Sequence, residues 1–341
     1  MGTMLTFEEA LRKAGDKEKS ILLGNGFSRA CFNDIFSYDS LFESSGLNGN
    51  NSPLKKLFNV TQTKDFEKII QILQTAAITI QAYEGSGSSL ASKLSADAER
   101  LRDLLAETIS GNHPNLPSDI SQQSYESCRQ FLSNFKKYFS LNYDLLLYWA
   151  LIKNELPPRL SPDDGFGRDD HYQLSWSSDR SDVQNIFYLH GALHLFDSGD
   201  QLIKIEWGGT GGIRLKDQIL SRLELNEYPL IVAEGTSSQK RRKIFHNKYF
   251  GFCHDQLKGL SDSLFIYGFA MSENDEHILE SIESSYVSNL FVGIYGDPNS
   301  ATNKKIIERT NLVVDNRRRY RGRSSLVPHF YDAESVNIWG K

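Results

Sequence analysis

Six short runs of apolar residues, each continuous rather than alternating, constrain the fold of this chain more than any other feature. The runs are Ser20–Leu23, Tyr138–Leu141, Ile186–Leu189, Leu264–Tyr267, Leu290–Tyr295 and Pro328–Tyr331. Continuous hydrophobicity is typical of strands covered on both faces, and strands separated by helical patterns form parallel sheets. The sequence therefore predicts an α/β fold, with a Rossmann-like doubly wound parallel sheet in a single domain over residues 1–341.

A helical insertion is predicted between the first and second strands, at about residues 54–110. Apolar residues recur at helical spacing from Phe66 to Ile80 and from Leu94 to Leu105, on either side of a break at Gly85–Ser89. Most of this apolar stripe is expected to be core, and the insertion is also positioned to wall one side of a ligand cleft. Residues 155–184 are predicted to be a long loop, and residues 208–212 a turn.

Charge and cysteine content argue against several classes of function. The net charge of −5 disfavours direct nucleic-acid binding. Two basic clusters, residues 240–243 and 317–321, are interpreted mainly as solvated surface, with contact to a phosphate-bearing ligand or an acidic partner as the alternative. The cysteines are dispersed, so we expect no zinc module or other metal site, no disulfide framework and a cytoplasmic location. No apolar stretch has the ~20 residues that a membrane helix needs.

The first candidate site follows the first predicted strand, where the sequence is Gly24-Asn25-Gly26-Phe27-Ser28. Glycines let a backbone turn sharply and approach a phosphate, and a following helix presents free N–H groups to it. We therefore expect these five residues to bind the phosphates of a dinucleotide, with the Ser28 hydroxyl as an added donor. The dinucleotide fingerprint is incomplete because an arginine follows Ser28 where a third small residue is usual, so a plain strand-to-helix turn is the alternative.

The ends of the second and third predicted strands contribute the candidate catalytic residues. Asn142 and Asp144 follow the second strand, and His190 follows the third. Ligands bind at the carboxyl edge of parallel strands, so these side chains are well placed for catalysis. Helix capping is an equally weighted alternative for Asn142 and Asp144. For His190 the alternative is a structural role, and His194 is the competing histidine.

A fourth candidate segment, Gly268–Ile278, follows the fourth predicted strand. Gly268, Ser272 and Asp275 are expected to contact a ribose or a phosphate. Capping of the next helix by Ser272, Asn274 or Asp275 is the alternative. With the three preceding motifs, this segment completes a set of polar residues expected at one edge of the sheet.

These four motifs, in this order and at strand ends, resemble the sirtuin-like family. The resemblance covers roughly residues 20–300 and is greatest to bacterial sirtuin-like proteins that contain a domain of unknown function and share a segment like Val232–Lys240. Relatives in that group deplete NAD in anti-phage defence. Protein-deacylating sirtuins differ: they have a four-cysteine zinc module, a Gly-Ala-Gly loop and a Gln-Asn-x-Asp segment, where this chain has Gly24-Asn25-Gly26 and Leu141-Asn142-Tyr143-Asp144.

The resemblance implies an NAD glycohydrolase for which NAD is the substrate and nicotinamide and ADP-ribose are the products; no cofactor is implied. The glycine loop would hold the pyrophosphate, and Asn142 would orient the water or the ribose hydroxyls. His190 would be the general base, because imidazole titrates near neutral pH, and Asp144 would orient the site or stabilise positive charge. A transferase that passes ADP-ribose or removes an acyl group, and a non-catalytic NAD or ADP-ribose sensor, are alternatives. We also expect regulation by homo-oligomerisation or by a partner such as an ATPase.

Overall fold

Six parallel strands form the central sheet of the part of the chain that the structure describes, and the other four strands in this part form a second sheet. In chain order the strands are β1 (Lys19–Leu23), β2 (Lys137–Ser140), β3 (Phe166–Arg168), β4 (Leu174–Trp176), β5 (Ile186–Tyr188), β6 (Leu195–Asp197), β7 (Leu202–Lys204), β8 (Ser261–Tyr267), β9 (Tyr286–Ile294) and β10 (Val327–Asp332). The central sheet has the order β10-β9-β8-β1-β2-β5. Numbered along the chain and counted from β5, its strands follow 3-2-1-4-5-6, the Rossmann order. The predicted fold class is confirmed, and all six predicted strands are present.

This computed structural model describes residues 4–47, 52–153, 155–170, 172–206, 213–233, 237–320, 323 and 325–340, with the backbone alone for Gln239. Four predicted features lie wholly or partly outside the described residues. They are position 171 of the predicted loop, the turn at 208–212, positions 234–236 of the segment at 232–240, and position 321 of the second basic cluster.

Helices flank this sheet. They are α1 (Phe7–Ala14), α2 (Gly26–Cys31), α3 (Asn33–Phe36), α4 (Tyr38–Ser44), α5 (Pro53–Thr61), α6 (Phe66–Glu84), α7 (Ser89–Asn112), α8 (Gln122–Leu132), α9 (Leu146–Ile152), α10 (Leu215–Glu224), α11 (Ser237–His246), α12 (Lys248–Lys258), α13 (Glu276–Ser284) and α14 (Ala301–Arg317). Within the described residues, none of them combines the length and the apolar character needed to cross a membrane.

Burial on both faces explains why the strand segments are continuously apolar. Residues Ile21–Leu23 of β1 have no exposed surface. Phe139 of β2 stacks on Phe187 of β5 with ring centres 4.7 Å apart, and Phe265 of β8 stacks on Phe291 of β9 at 4.4 Å. Such pairs between neighbouring strands fill the space between the sheet and its covering helices, and they fix the register of the sheet.

The two helices predicted in the insertion are present as α6 and α7. Asp65 caps α6 by accepting a hydrogen bond from the Lys68 N–H at 3.2 Å, and Ser88 caps α7 through the Ala91 N–H at 3.3 Å. The break between them falls at Gly85, whose φ of 89° favours glycine and ends α6. Local sequence therefore determines both the length of each helix and the turn between them.

A second, antiparallel sheet corrects the prediction of a long loop at 155–184. Strands β3 and β4 lie in that stretch and pair with each other; β4 also pairs with β7, and β7 pairs with β6, in the order β3-β4-β7-β6. Each of these strands has three residues, too few for an alternating pattern to stand out from the surrounding Pro, Gly, Asp and Ser. Pairing of β3 with β4, and of β4 with β7, rather than the local preference of three residues, makes them strands.

The glycines after β1 and β8 bring two backbones into direct contact where the strand order reverses. The Gly24 N–H donates to the Tyr267 carbonyl at 3.0 Å, and the Gly26 N–H donates to the Gly268 carbonyl at 2.9 Å. A Cβ added to Gly26 would lie 2.5 Å from the Gly268 Cα, closer than packed atoms approach. Gly268 also has a φ of 69°. Close packing between the two turns therefore requires glycine at these positions.

We predict that Gly26→Ala lowers the free energy of unfolding by about 1–3 kcal/mol, because the backbone of Gly268 cannot move aside as a flexible side chain would. Gly111→Ala is the matched control: Gly111 lies in α7, where an added Cβ meets nothing within 4 Å. Alanine there should raise stability by roughly 0.5–1 kcal/mol. Chemical denaturation of the three proteins measures both changes, and equal effects at the two sites would contradict the packing argument.

Candidate functional site

The parallel sheet brings the predicted catalytic residues to one edge. In the last register of the sheet, Ser140 of β2 pairs with both Leu23 of β1 and Tyr188 of β5. Asn142 and His190 each follow this register by two residues, so they lie at equivalent positions beyond neighbouring strands. Their common edge follows from the equal spacing of the two motifs from their strands.

Asn142, Ser28 and Asp144 form one buried hydrogen-bonded group. The Asn142 amide nitrogen donates to the Gly24 carbonyl at 3.0 Å and to Ser28 Oγ at 2.8 Å. The Ser28 hydroxyl in turn donates to the Asp144 carboxylate, which also accepts the Leu146 N–H at 2.9 Å. Burial raises the pKa of Asp144 above its ordinary value, although the Ser28 hydroxyl and the Leu146 N–H act to lower it. The group fixes the orientation of the Asn142 side chain.

These contacts also address the alternative that Asn142 and Asp144 are helix caps. Asp144 does accept a hydrogen bond from the first residue of α9, so part of its role is capping. Asn142 makes no side-chain bond to α9; its amide binds the glycine loop instead. Capping therefore accounts for Asp144 in part and does not account for Asn142.

His190 is a buried, neutral imidazole in contact with a second histidine. Its Nε2 lies 2.9 Å from His277 Nε2 and 3.9 Å from Asp275 Oδ1. Burial lowers the pKa of His190 well below its ordinary value, and the neighbouring Lys240 and His254 lower it further. His190 is therefore in its base form at neutral pH, but it is a weaker base than a free imidazole. The expectation that His190 titrates near neutral pH does not hold in this closed arrangement, because the ring is desolvated.

A buried lysine joins the helical insertion to the loop after β8. Lys240 Nζ lies 2.7 Å from Glu67 Oε2 on α6 and 2.9 Å from Asp275 Oδ1. Glu67 also accepts the Tyr143 hydroxyl at 2.9 Å, and Ser272 donates to the other oxygen of Asp275 at 2.8 Å. Burial opposes the charge on Lys240, but the two carboxylates hold its pKa above the ordinary value. We call this group the ionic bridge (Glu67, Lys240, Asp275).

The predicted phosphate-binding residues lie together, but several of their polar groups have protein partners. The Gly26 N–H bonds to the Gly268 carbonyl, and the Phe27 N–H bonds to the Gly24 carbonyl at 2.9 Å. The Asn25 amide donates to the Phe36 carbonyl at 3.2 Å. Phe27 packs on Trp339, near the end of the described chain, with ring centres 5.2 Å apart. In this arrangement the loop functions as a packed turn, as its alternative interpretation proposed.

The candidate site is closed. Asn142 is 9% exposed and His190 is 3% exposed. A cavity of about 150 Å³ beside His277 is lined by Arg241 and His254 among others. Pockets that hold drug-sized or cofactor-sized molecules have about 300–1,000 Å³. A dinucleotide therefore reaches Asn142 and His190 only after these elements move.

The model of a family described as "Domain of unknown function (DUF4917)" matches residues 21–339. The chain belongs to the DUF4917 family. No curated protein matches it. The expectation that the chain contains a domain of unknown function is thus confirmed, and the match extends from β1 beyond the end of β10.

Sequence reasoning did not assign roles to four residues that complete the site of this DUF4917 protein: Glu67, Ser237, Lys240 and His277. Lys240 was included in a basic cluster interpreted as solvated surface, and that interpretation is wrong for Lys240, which has no exposed surface. It is also wrong for Arg317, which is buried and donates to the Ile282 carbonyl at 2.7 Å. The available signal was local: Lys240 ends the segment Val232–Lys240 singled out above, and His277 lies two residues after Asp275.

His194, the competing histidine, is not part of this group. It is fully buried and stacks on Tyr148 with ring centres 4.7 Å apart. Neither of its ring nitrogens has a hydrogen-bond partner within the described residues. Burial lowers its pKa well below the ordinary value. His194 therefore belongs to the core beneath the edge.

We predict that Lys240→Met lowers the free energy of unfolding by about 3–5 kcal/mol, because it leaves two largely buried carboxylates unpaired. Arg242→Met, on the exposed face of the same helix, should change it by less than about 0.5 kcal/mol.

Lys240 also holds the pKa of Asp275 below its unfolded value, against the effect of burial. At pH values above the pKa of Asp275 in the unfolded chain, the ionised Asp275 therefore stabilises the folded state. This stabilisation is lost as the pH falls through the pKa of Asp275 in the folded protein. We predict that Lys240→Met weakens the fall in the free energy of unfolding at acid pH, measured by urea titrations at several pH values. The same fall in Lys240→Met and in the wild-type protein would contradict this role of Lys240.

Proposed function

We propose that this DUF4917 protein is an NAD glycohydrolase that cleaves NAD to nicotinamide and ADP-ribose. Three features support the proposal: the Rossmann strand order, the resemblance of the four edge motifs to sirtuin-like proteins, and the placement of those motifs at the carboxyl ends of β1, β2, β5 and β8. In open α/β sheets, ligands bind outside the carboxyl ends of strands where the strand order reverses. Here that point lies between β1 and β8.

The observation on which the proposal depends most is the matched position of Asn142 and His190 beyond β2 and β5. Both amide protons of Asn142 are used to anchor the side chain to Gly24 and Ser28. Its Oδ1 makes no hydrogen bond within the described residues, so one acceptor is left for a water or a ribose hydroxyl. An anchored amide with a free acceptor is suited to orienting a small polar group.

The reaction balances with these residues and water. The bond between C1′ of the ribose and the nicotinamide nitrogen breaks, and its electron pair stays with the nicotinamide, which leaves as a neutral molecule. Water, oriented by Asn142, forms the new C–O bond to the oxocarbenium-like sugar. A proton of that water passes to His190, which is neutral at pH 7 and can accept it. Asp144 acts through Ser28 by holding Asn142 in place.

A non-catalytic NAD or ADP-ribose sensor is the second candidate, and the burial of the site favours it. His190 is 3% exposed, and its lowered pKa makes it a weak base in the closed arrangement. A protein that only binds a nucleotide needs neither a strong base nor rapid exchange of its ligand. Binding without turnover would support this candidate, whereas release of nicotinamide would exclude it.

The role in anti-phage defence, the partner ATPase and the homo-oligomer are part of the proposal and rest on the resemblance. A closed site is compatible with them, because an enzyme that destroys NAD has to be restrained until needed. Assembly can favour an open site only through contacts that the open form makes better than the closed form. The ionic bridge is the element that must yield, since it joins α6 to the loop beside His190.

We predict that Asn142→Ala and His190→Ala each lower the rate of NAD cleavage by about 10²–10⁴-fold, the usual effect of losing a general base or its equivalent. Chromatographic detection of nicotinamide measures the rate, and circular dichroism verifies folding. His246→Ala, which removes an exposed histidine at the end of α11, is the control and should retain full activity. Turnover close to wild type in either folded active-site variant would overturn the assignment.

We also expect the isolated chain to hydrolyse NAD slowly and to gain activity on assembly, because the closed site has to open. Turnover per chain should therefore rise with protein concentration, or on addition of a partner encoded beside it, over the range in which mass measurements detect assembly. A specific activity that stays constant through that range would remove regulation by assembly and leave the hydrolase proposal intact.

A further inference from the structure

Ser237, His277 and His190 form a continuous hydrogen-bond chain into the candidate site. Ser237, the first residue of α11, lies with its Oγ 2.9 Å from the His277 backbone nitrogen and 3.3 Å from His277 Nδ1. His277 Nε2 lies 2.9 Å from His190 Nε2. The two rings are buried, with 4% and 3% exposure, and Ser237 is half-buried.

The donors in this chain follow from counting protons. A backbone N–H can only donate, so Ser237 Oγ accepts the hydrogen bond from the His277 nitrogen. The Ser237 hydroxyl can donate its own proton to His277 Nδ1, 3.3 Å away, and that hydrogen bond requires Nδ1 to lack a proton. A neutral His277 then has its proton on Nε2 and donates it to His190 Nε2. His190, also neutral, has its own proton on Nδ1.

A metal ion is the other chemistry that this group suggests, since ligand atoms of His190, Asp275 and His277 lie within 4.8 Å of one another. The orientation of the rings argues for a hydrogen bond. The ring centres are 5.1 Å apart and the facing nitrogens 2.9 Å apart. The distance between the ring centres exceeds the distance between the nitrogens by about two ring radii of roughly 1.2 Å each, so each nitrogen points directly at the other. Two ligands of one metal ion would instead both point at the ion, to one side of the line that joins them. The Lys240 ammonium also occupies Asp275 Oδ1.

We propose that His277 is a positioning residue for His190, and that the Ser237 hydroxyl, acting through His277, places the ring proton of His190 on Nδ1 in the closed state. The geometry of the chain stands by itself; the catalytic consequence rests on the proposed function. With Nε2 occupied by His277, Nδ1 is the ring nitrogen left for a substrate. A protonated Nδ1 donates a hydrogen bond and cannot accept a proton from water.

His190 becomes a base at Nδ1 when the chain reverses. If Ser237 no longer donates, the proton of His277 can move to Nδ1, which leaves His277 Nε2 as an acceptor. His190 then has its own proton on Nε2 and donates it to His277 Nε2. His190 Nδ1 is then free to take a proton from water, and His277 helps to orient the resulting imidazolium. Ser237 and Lys240 both belong to α11, so a movement of this helix would open the ionic bridge and reverse the chain together.

The test is the tautomer of each ring, measured by long-range ¹H–¹⁵N correlation spectra of protein labelled with ¹⁵N-histidine. Signals are assigned by their loss in His190→Gln and His277→Gln. We expect wild-type His190 to be protonated at Nδ1 and His277 at Nε2. In Ser237→Ala, both rings should shift towards a mixture of tautomers, whereas His246→Gln, a control at the other end of α11, should leave both unchanged. Wild-type His190 protonated at Nε2, or rings unaffected in Ser237→Ala, would overturn the proposal.

Two further readouts separate this inference from its rivals. Addition of one equivalent of Zn²⁺ should leave the wild-type ring signals in place; a stoichiometric shift of both Nε2 signals would establish a metal site instead. For NAD turnover, Ser237→Ala should raise kcat by about twofold or more with an unchanged KM, because more molecules have the base-competent tautomer. A merely structural role of Ser237 would lower kcat or leave it unchanged.

The spectra need no NAD, so the two proposals can fail separately. The expected tautomers in a folded wild-type protein that does not cleave NAD would reject the hydrolase and keep the positioning role of His277. NAD cleavage by a protein with the opposite tautomers would keep the hydrolase and reject the positioning role.

Discussion

The parallel alignment of β1, β2, β5 and β8 is the constraint on which the rest of the candidate site depends. Because the four strands run in one direction and end in one register, the segments after them all begin at the same edge. The turns after β1 and β8 can meet only because glycines remove the side chains that would separate their backbones. That contact anchors Gly24, which in turn holds the Asn142 amide. Substitutions in the turns should therefore affect stability and the site together.

Desolvation decides the chemistry at this edge. Burial keeps the histidines neutral and holds Lys240 in contact with two carboxylates, so the closed site contains hydrogen bonds of defined direction and one strong ionic bridge. Unpaired charges are costly in such surroundings, so separating Lys240 from its two carboxylates requires other groups to pair with them. Whatever binds here has to compensate for the contacts that it breaks. NAD, with its phosphates and ribose hydroxyls, offers groups able to replace them.

The sequence was sufficient to predict the six parallel strands and the residues at their carboxyl ends. It was not sufficient to predict which of those side chains contact each other. Continuous apolar runs identified all six parallel strands, since burial on both faces leaves a local signal. The strands β3 and β4 left none, because each has only three residues and lies among Pro, Gly, Asp and Ser residues. The buried Lys240 was taken for surface because its counter-charges are distant in sequence: Glu67 is 173 residues away and Asp275 is 35. The pairing of His190 with His277, across 87 residues, was likewise invisible to local patterns.

The central claim is that NAD binds across the carboxyl edge, over the turns after β1 and β8, with its nicotinamide ribose next to Asn142. A crystal structure of the inactive His190→Ala protein with NAD tests this most directly. The account predicts that the pyrophosphate lies over the Gly24 and Gly268 turns, that a ribose hydroxyl or a water bonds to Asn142 Oδ1, and that the contact between Lys240 and Glu67 is lengthened or broken. NAD bound elsewhere on the protein, with the edge still closed, would contradict the account.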